Sequence, residues 1–172
     1  MMDFDFYLDK FQAAAAQLDK NLLDKKNIEV AVGLYLQSVF LKLYKNAWAN
    51  KSEDPLTSES RIFFSVWITD AGIREQKIFY NIHALKLRKL AGYSVTSRDF
   101  AIRFRKKFKN VEQYWPNVSV QFGPLTLMQG WVNVNVENSA GEILSLANRF
   151  LKIEYLIDQT LEHYKLSGEK KK

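Results

Sequence analysis

The clearest structural signal in this 172-residue chain lies in residues 61–83, RIFFSVWITDAGIREQKIFYNIH. Its first nine residues are rich in aromatic and β-branched side chains, which favour extended backbone. Residues 70–72 supply turn chemistry, and aromatic side chains resume at Phe79 and Tyr80. The stretch therefore predicts a β-hairpin.

Upstream of this hairpin, two segments show helical periodicity. In residues 4–22 the apolar side chains recur every three or four positions, which places them on one stripe of a helix. In residues 28–47 the apolar positions also share one side of a helix. We therefore predict a helical hairpin over residues 1–50, followed by a polar loop over residues 51–60.

Downstream of the hairpin we predict a helix, a second hairpin and a final long helix. Thr96 is a suitable N-cap for a helix with an apolar core stripe that comprises Phe100, Ala101, Phe104 and Phe108. Residues 118–122 and 125–136 are extended segments, and valine alternates with asparagine in the second of them. Ser139 and Glu142 form a capping box for the final helix, which has apolar positions over roughly 27 residues.

Together these elements predict an α+β fold. The N-terminal helical hairpin is followed by a β-β-α-β-β-α unit with a mainly antiparallel, four-stranded sheet and a long C-terminal helix. Residues 1–166 are expected to form a single domain, with the sheet and its helices over residues 61–166. Residues 167–172 are expected to be a flexible basic tail. The wide apolar stripe of the last helix also suggests a homodimer formed through that helix.

Composition excludes several kinds of site. The chain has no cysteine and two histidines, which excludes a disulfide framework and a Cys-ligated zinc site. It contains no Gly-rich phosphate loop, nucleophile elbow or HExxH motif. We therefore expect no cofactor, no metal site and no catalytic residue, and we interpret His83 as a half-buried side chain with satisfied hydrogen bonds. No signal peptide or membrane-spanning run is present, so a cytoplasmic protein without a membrane partner is expected.

The net charge of +6 is concentrated in one segment. Residues 86–109 hold nine basic residues and one acid, whereas each flanking segment holds one acid more than its basic residues. On the helix predicted from Ser97, the phenylalanines occupy one arc, so the basic side chains face solvent. Such a surface attracts phosphate groups. The predicted polyanion-binding residues are Arg98, Arg103, Arg105, Lys106 and Lys109. Flanking aromatic side chains that could stack on unpaired bases are Tyr93, Tyr114 and Trp115.

These features favour a non-enzymatic intracellular binding or interaction module, with nucleic acid, another polyanion or an acidic protein as its partner. Two other interpretations of the basic helix stay open at this point. It is either an ordinary solvated surface, or it pairs with an acidic stripe of the last helix formed by Glu154, Asp158 and Glu162.

A different class of function is suggested by three polar residues around the first hairpin. Asp54, followed by Glu75 and Lys77, has the order acid, then acid-x-Lys, which resembles the motif of a superfamily of metal-dependent nucleases. The resemblance implies a metal-dependent nuclease that uses these three side chains. It is the enzymatic alternative to the binding module.

Overall fold

A computed structural model describes residues 2–135 and 137–167. In this structure five antiparallel strands lie side by side in chain order. The strands are β1 (Glu29–Tyr35), β2 (Ser38–Tyr44), β3 (Arg61–Thr69), β4 (Lys77–Leu85) and β5 (Thr126–Asn133). The helices are α1 (Phe4–Ala16), α2 (Lys20–Lys26), α3 (Asp70–Arg74), α4 (Ser97–Phe108), α5 (Ser139–Leu151) and α6 (Tyr155–His163). The predicted α+β class is confirmed.

Helices cover one face of the sheet and leave the other open. Every second residue of β3, from Ile62 to Ile68, is at most 1% exposed, and these side chains belong to the main hydrophobic core. α1 packs against β1 and β2, α5 packs against α1 and β3, and α4 packs against β5 and α6. The rings of Phe64 and Phe150 stack with their centroids 4.6 Å apart and join β3 to α5. The side chains at the positions in between point to the other face of the sheet, which these helices leave open.

The second half of the predicted helical hairpin is wrong. Residues 29–44 form β1 and β2, which pair in register from Glu29 with Tyr44 to Tyr35 with Ser38. Burial in β2 alternates with a period of two, because Leu41 is fully buried while the neighbouring Phe40 and Lys42 are half-buried. β2 also supplies hydrogen-bonding partners along β3, and a helix at this position would leave that edge unpaired. The sheet therefore has five strands and not four.

The C-terminal half also differs from the prediction. Residues 118–122 form no strand, although Ser119 makes an isolated bridge to Gln129 of β5. The long final helix is interrupted between α5 and α6, where Ile153 and Glu154 are both buried. α5 takes Asn138 as its N-cap residue, and not Ser139. Apart from Ser167, the predicted basic tail lies outside the described residues.

The interruption lets both final helices bury their apolar residues in the chain's own core. Most of the stripe that suggested a homodimer is at most 5% exposed, from Ile143 in α5 to Leu161 in α6, whereas Leu144 and Tyr164 are half-buried. Within the part of the chain that the structure describes, no helix combines the length and hydropathy that a bilayer crossing requires. The predicted N-cap of α4 is confirmed, because the hydroxyl of Thr96 accepts a hydrogen bond from the backbone N–H of Asp99 at 3.0 Å.

Candidate functional site

The predicted cationic surface is built on α4, where the inward phenylalanines determine which side chains face solvent. Phe100, Phe104 and Phe108 are fully buried, and their rings follow one another at centroid distances of 6.4 and 5.8 Å. At 3.6 residues per turn, three exposed cations fall within an arc of about 80° on the opposite side of the helix. This outer stripe consists of Arg98, Lys106 and Lys109.

The cations of the outer stripe have no ion-pair partner in the part of the chain that the structure describes. Among residues 2–135 and 137–167, none of its three cations forms a salt bridge. The acids expected opposite the basic helix are engaged elsewhere, because Glu154 pairs with Lys26 and Lys45, and Asp158 pairs with Lys45. The predicted pairing between the acidic stripe and α4 is therefore wrong for these two acids.

Two of the predicted polyanion-binding residues are tied into the fold. Nε of Arg105 donates to the carbonyl of Leu127 at 3.0 Å, and Nη2 donates to the carbonyls of Phe122, Gly123 and Thr126 at 2.8–3.1 Å. Nε of Arg103 donates to the hydroxyl of Tyr164 at 3.2 Å, and its guanidinium lies over the same ring. Arg105 therefore closes the turn before β5, and Arg103 joins α4 to the end of α6.

We expect Arg105→Ala to lower the free energy of unfolding by about 1.5–3 kcal/mol, because four carbonyls lose a charged donor. Lysine cannot restore this planar fork of donors, so Arg105→Lys is expected to be nearly as unstable. Urea unfolding followed by tryptophan fluorescence measures the effect. Lys106→Ala, on the exposed side of the same helix, should change stability by about 0.5 kcal/mol or less. Equal urea midpoints for Arg105→Ala and wild type would contradict this role.

Trp115, one of the predicted base-stacking side chains, lies in the core. It is 4% exposed, and its ring contacts those of Phe64 and Tyr80 at centroid distances of 6.0 and 5.1 Å. Its ring therefore has no accessible face on which a base could stack, and we leave it out of the candidate surface.

The two predicted stacking tyrosines are more accessible but differ in their surroundings. Tyr114 is 62% exposed, and its carbonyl accepts a hydrogen bond from Arg149 at 2.6 Å. Tyr93 is half-buried, and its pKa is raised first by burial and then by the carboxylates of Asp158 and Glu162. Tyr93 thus faces acids, which repel phosphate, whereas Tyr114 has an open ring.

The three residues of the nuclease alternative are not brought together. Asp54 lies close enough to Tyr44, near the first end of β3, to raise the pKa of that phenol after the effects of burial and Glu29. Glu75 and Lys77 lie at the other end of β3, about eight residues away, which corresponds to about 25 Å of strand. The described residues also contain no group of three acids or histidines able to hold a metal ion.

His83 is confirmed as a half-buried side chain with satisfied hydrogen bonds. Nδ1 donates to the carbonyl of Leu125 at 3.2 Å, and Nε2 accepts from Nδ2 of Asn81 at 3.0 Å. Burial lowers the pKa of His83, and the charges of Lys42 and Arg61 lower it further despite the opposing hydrogen bond. Both ring nitrogens are engaged, so neither is free to accept a proton from a substrate.

A groove of about 640 Å³ on the open face of the sheet was missed by the sequence analysis. Side chains of β2, β3 and β4 line it, together with the tip of the β1–β2 hairpin and part of the loop before β3. Its central lining residues are Phe40, Lys42, Arg61, Phe63, Trp67 and His83. The alternation of residues 38–44 was the available signal, but their interpretation as a helix separated Phe40 and Lys42 from β3.

Comparison with known proteins gives no family from which a function can be transferred. No family model, curated protein or solved structure shows a significant match to this chain. The function is therefore inferred from the geometry and charge of the described residues.

Proposed function

We propose that this protein is a non-enzymatic binding module that binds a polyanion, with nucleic acid as the favoured partner, through the outer stripe of α4. The observation that carries the proposal is the display of Arg98, Lys106 and Lys109 on one exposed side of a helix, where none of them forms a salt bridge with another described residue. Affinity of this kind arises from the phosphate backbone and depends on the release of counterions.

The dimensions of the stripe suit a nucleic acid backbone. Arg98 and Lys109 are eleven residues apart, which corresponds to about 16 Å along a helix. A single strand of B-form DNA places roughly five phosphates in that length. The exposed Arg88 extends the positive surface beyond the helix, whereas the nearby Lys86 and Lys89 share one counter-charge, Glu59, at 3.0 Å each. The stripe is therefore long enough to contact several phosphates at once.

The non-enzymatic part of the proposal is supported by the placement of the polar groups. The nuclease candidates lie at opposite ends of β3, and both nitrogens of His83 are engaged. We do not include self-association through the last helices, because most of the stripe that suggested it is buried in the chain's own core. A cytoplasmic location and an acidic protein partner stay predictions.

We expect the protein to bind a fluorescently labelled single-stranded DNA 20-mer with an affinity that falls as salt rises. With three to four phosphate contacts, the slope of log K against log salt should be about −2 to −3. Reversal of three charges should weaken binding at least tenfold at 50 mM salt and bring the slope close to zero. Fluorescence anisotropy measures both quantities for the variant Arg98→Glu, Lys106→Glu and Lys109→Glu.

A control with the same net charge separates the stripe from the overall charge of the protein. Three exposed lysines outside α4 are suitable, and the control variant combines Lys25→Glu, Lys51→Glu and Lys152→Glu. It should retain most of the affinity. Equal losses in both variants, or no binding of wild type to either the oligonucleotide or heparin at low salt, would overturn the proposal. Binding to heparin but not to the oligonucleotide would support a polyanion surface and exclude nucleic acid as the partner.

A further inference from the structure

The groove on the open face of the sheet has the dimensions and the lining of a small-molecule site. Its volume of about 640 Å³ lies within the range of about 300–1,000 Å³ that is typical of ligand pockets. The most buried lining side chains are Phe63, Ser65 and Asn81, each at most 6% exposed. Phe40 and Trp67 add half-buried aromatic surface. The groove thus offers flat apolar walls around a few polar groups.

Positive charge is concentrated in this groove without a counter-charge. Lys42 and Arg61 both line it, and the described lining residues include no aspartate or glutamate. The ammonium of Lys42 lies over the rings of Phe40 and Phe63 at 4.7 and 4.6 Å, and the guanidinium of Arg61 lies over Phe63 at 5.3 Å. Lys42 and Arg61 therefore share the ring of Phe63.

The pKa values of both Lys42 and Arg61 are lowered in the groove. Burial lowers the pKa of Lys42, and the charge of Arg61 lowers it further. Burial also lowers the pKa of Arg61. The lowered pKa values mean that both positive charges are partly removed from solvent, so an anion between them would stabilise both.

Two side chains that line the groove each carry a buried polar atom without a partner among the described residues. Nε of Arg61 is a buried donor and Oδ1 of Asn81 is a buried acceptor, and neither has a hydrogen bond among the residues that the structure describes. The amide nitrogen of Asn81 is already engaged with Gln129 and His83, at 3.0 Å each. Buried polar groups are normally satisfied, so the unpartnered Nε leaves the Arg61 guanidinium incompletely satisfied, and an anion beside that guanidinium would compensate its charge.

We propose that the open-face groove binds a small organic anion with a flat apolar body. Its acidic head group lies between Lys42 and the guanidinium of Arg61, and its body packs against Phe40, Phe63 and Trp67. A neutral ligand would leave the two cations uncompensated, and a cationic ligand would be repelled. Carboxylate and phosphate monoester head groups share the required chemistry. The proposal is independent of the outer stripe of α4, which belongs to a different layer of the fold.

The test uses 2-naphthoate as the probe in isothermal titration calorimetry with the full chain. We expect 2-naphthoate to bind at least tenfold more tightly than 2-naphthamide, which has the same body without the charge. Comparison with 1-naphthyl phosphate distinguishes a carboxylate site from a phosphate site. Comparison with decanoate tests the flat body, because decanoate has a similar head group on a flexible chain and should bind more weakly.

Variants on the same face of the sheet separate the groove from its surroundings. Lys42→Met and Arg61→Gln should each weaken 2-naphthoate binding at least tenfold. Lys77→Met is the matched control, because Lys77 also lies over an aromatic ring of the open face, that of Trp131 at 4.3 Å, but does not line the groove. Lys42→Met should also raise the melting temperature, since it removes a desolvated charge beside Arg61.

Several results would overturn the inference. No binding of 2-naphthoate at millimolar concentration, or equal binding of 2-naphthamide, would exclude an anion site. Tighter binding of decanoate than of 2-naphthoate would show that the ligand does not need a flat apolar body. A lower melting temperature of Lys42→Met with unchanged 2-naphthoate binding would give Lys42 a purely structural role. Displacement of 2-naphthoate by a single-stranded oligonucleotide, abolished by Lys42→Met, would make the open face a nucleic-acid surface and overturn the small-molecule assignment.

Discussion

Gly130→Ala is expected to lower the free energy of unfolding by about 3 kcal/mol or more, because β5 has no space for a side chain at this position. A Cβ atom on Gly130 would lie 2.6 Å from Cζ of Tyr80 and 2.9 Å from the carbonyl oxygen of Pro116, and still closer to the Tyr80 hydroxyl. That hydroxyl donates to the Pro116 carbonyl at 2.7 Å. The methyl group would therefore disturb both a packed ring and its hydrogen bond.

The surroundings of Tyr80 prevent an easy adjustment. Its side chain is fully buried and contacts the rings of Phe64 and Trp115, so the core would have to shift with it. Burial also raises the pKa of Tyr80, which keeps the hydroxyl protonated as a donor at neutral pH. A methyl group at Gly130 thus meets a neighbour that is held from several sides.

Two further variants make the interpretation of Gly130→Ala specific. Gly141→Ala, in α5 with open space around the glycine, should be neutral or stabilising by up to about 1 kcal/mol. Tyr80→Phe in the Gly130→Ala background should recover part of the lost stability, because it removes the closest atom. Urea unfolding measures all three proteins. A Gly130→Ala midpoint equal to that of wild type would contradict the close packing of β4 and β5.

Glu154→Gln is expected to lower the free energy of unfolding by about 2–3 kcal/mol, because it removes a buried carboxylate from a partly buried network of ion pairs. Glu154 is 4% exposed and lies 3.0 Å from Nζ of Lys26 and 2.9 Å from Nζ of Lys45. Lys45 also contacts Asp158 at 2.5 Å, and that carboxylate accepts from the Trp48 indole N–H at 2.8 Å. The network joins α2, the end of β2 and the bend between α5 and α6.

A double variant distinguishes an unpaired buried charge from a general packing defect. Glu154→Gln leaves Lys45 with one of its two carboxylates, whereas Glu154→Leu combined with Lys45→Met removes charges of both signs. The double variant should be more stable than Glu154→Gln, because buried ion pairs are often replaceable by apolar side chains. Thermal and urea unfolding measure the comparison. If the double variant is less stable than both Glu154→Gln and Lys45→Met, the loss of stability comes from packing.

The same network predicts a dependence of stability on alkaline pH. Burial alone would lower the pKa of Lys45, but hydrogen bonds to Asp158 and Glu154 and their charges outweigh burial and raise the pKa. A lysine with a raised folded-state pKa stabilises fully below its unfolded value of 10.5 and loses that contribution as pH rises through the folded value. The difference in unfolding free energy between wild type and Lys45→Met should therefore be constant at neutral pH and shrink above about pH 10.5.

Local patterns in the sequence were enough to predict several features. The β3–β4 hairpin follows from a run of aromatic and β-branched residues on each side of a turn, and the orientation of α4 follows from phenylalanines spaced by four. The N-cap of α4 and the state of His83 were also predicted correctly. The hairpin and both features of α4 depend on residues that are close together in the chain. The state of His83 was predicted from the apolar residues next to it in the sequence.

Other features depend on partners that are distant in the sequence. Arg105 looked like a surface cation, but its acceptors are carbonyls 17 to 22 residues further along the chain. Trp115 looked like an aromatic residue at the edge of the basic surface, but its ring packs in the core against Phe64 of β3 and Tyr80 of β4. Neither position can be derived from periodicity, because it is set by how the elements pack.

The α+β class, the β3–β4 hairpin and the concentration of positive charge between residues 86 and 109 could be predicted from the amino-acid sequence. The two strands in residues 29–44 could not, because their apolar positions satisfy both a helical and an extended pattern, and the pairing of β2 with β3 selects the extended one. That pairing places Lys42 beside Arg61 and creates the groove. A binding surface assembled from three strands exists only once their backbones are hydrogen-bonded side by side.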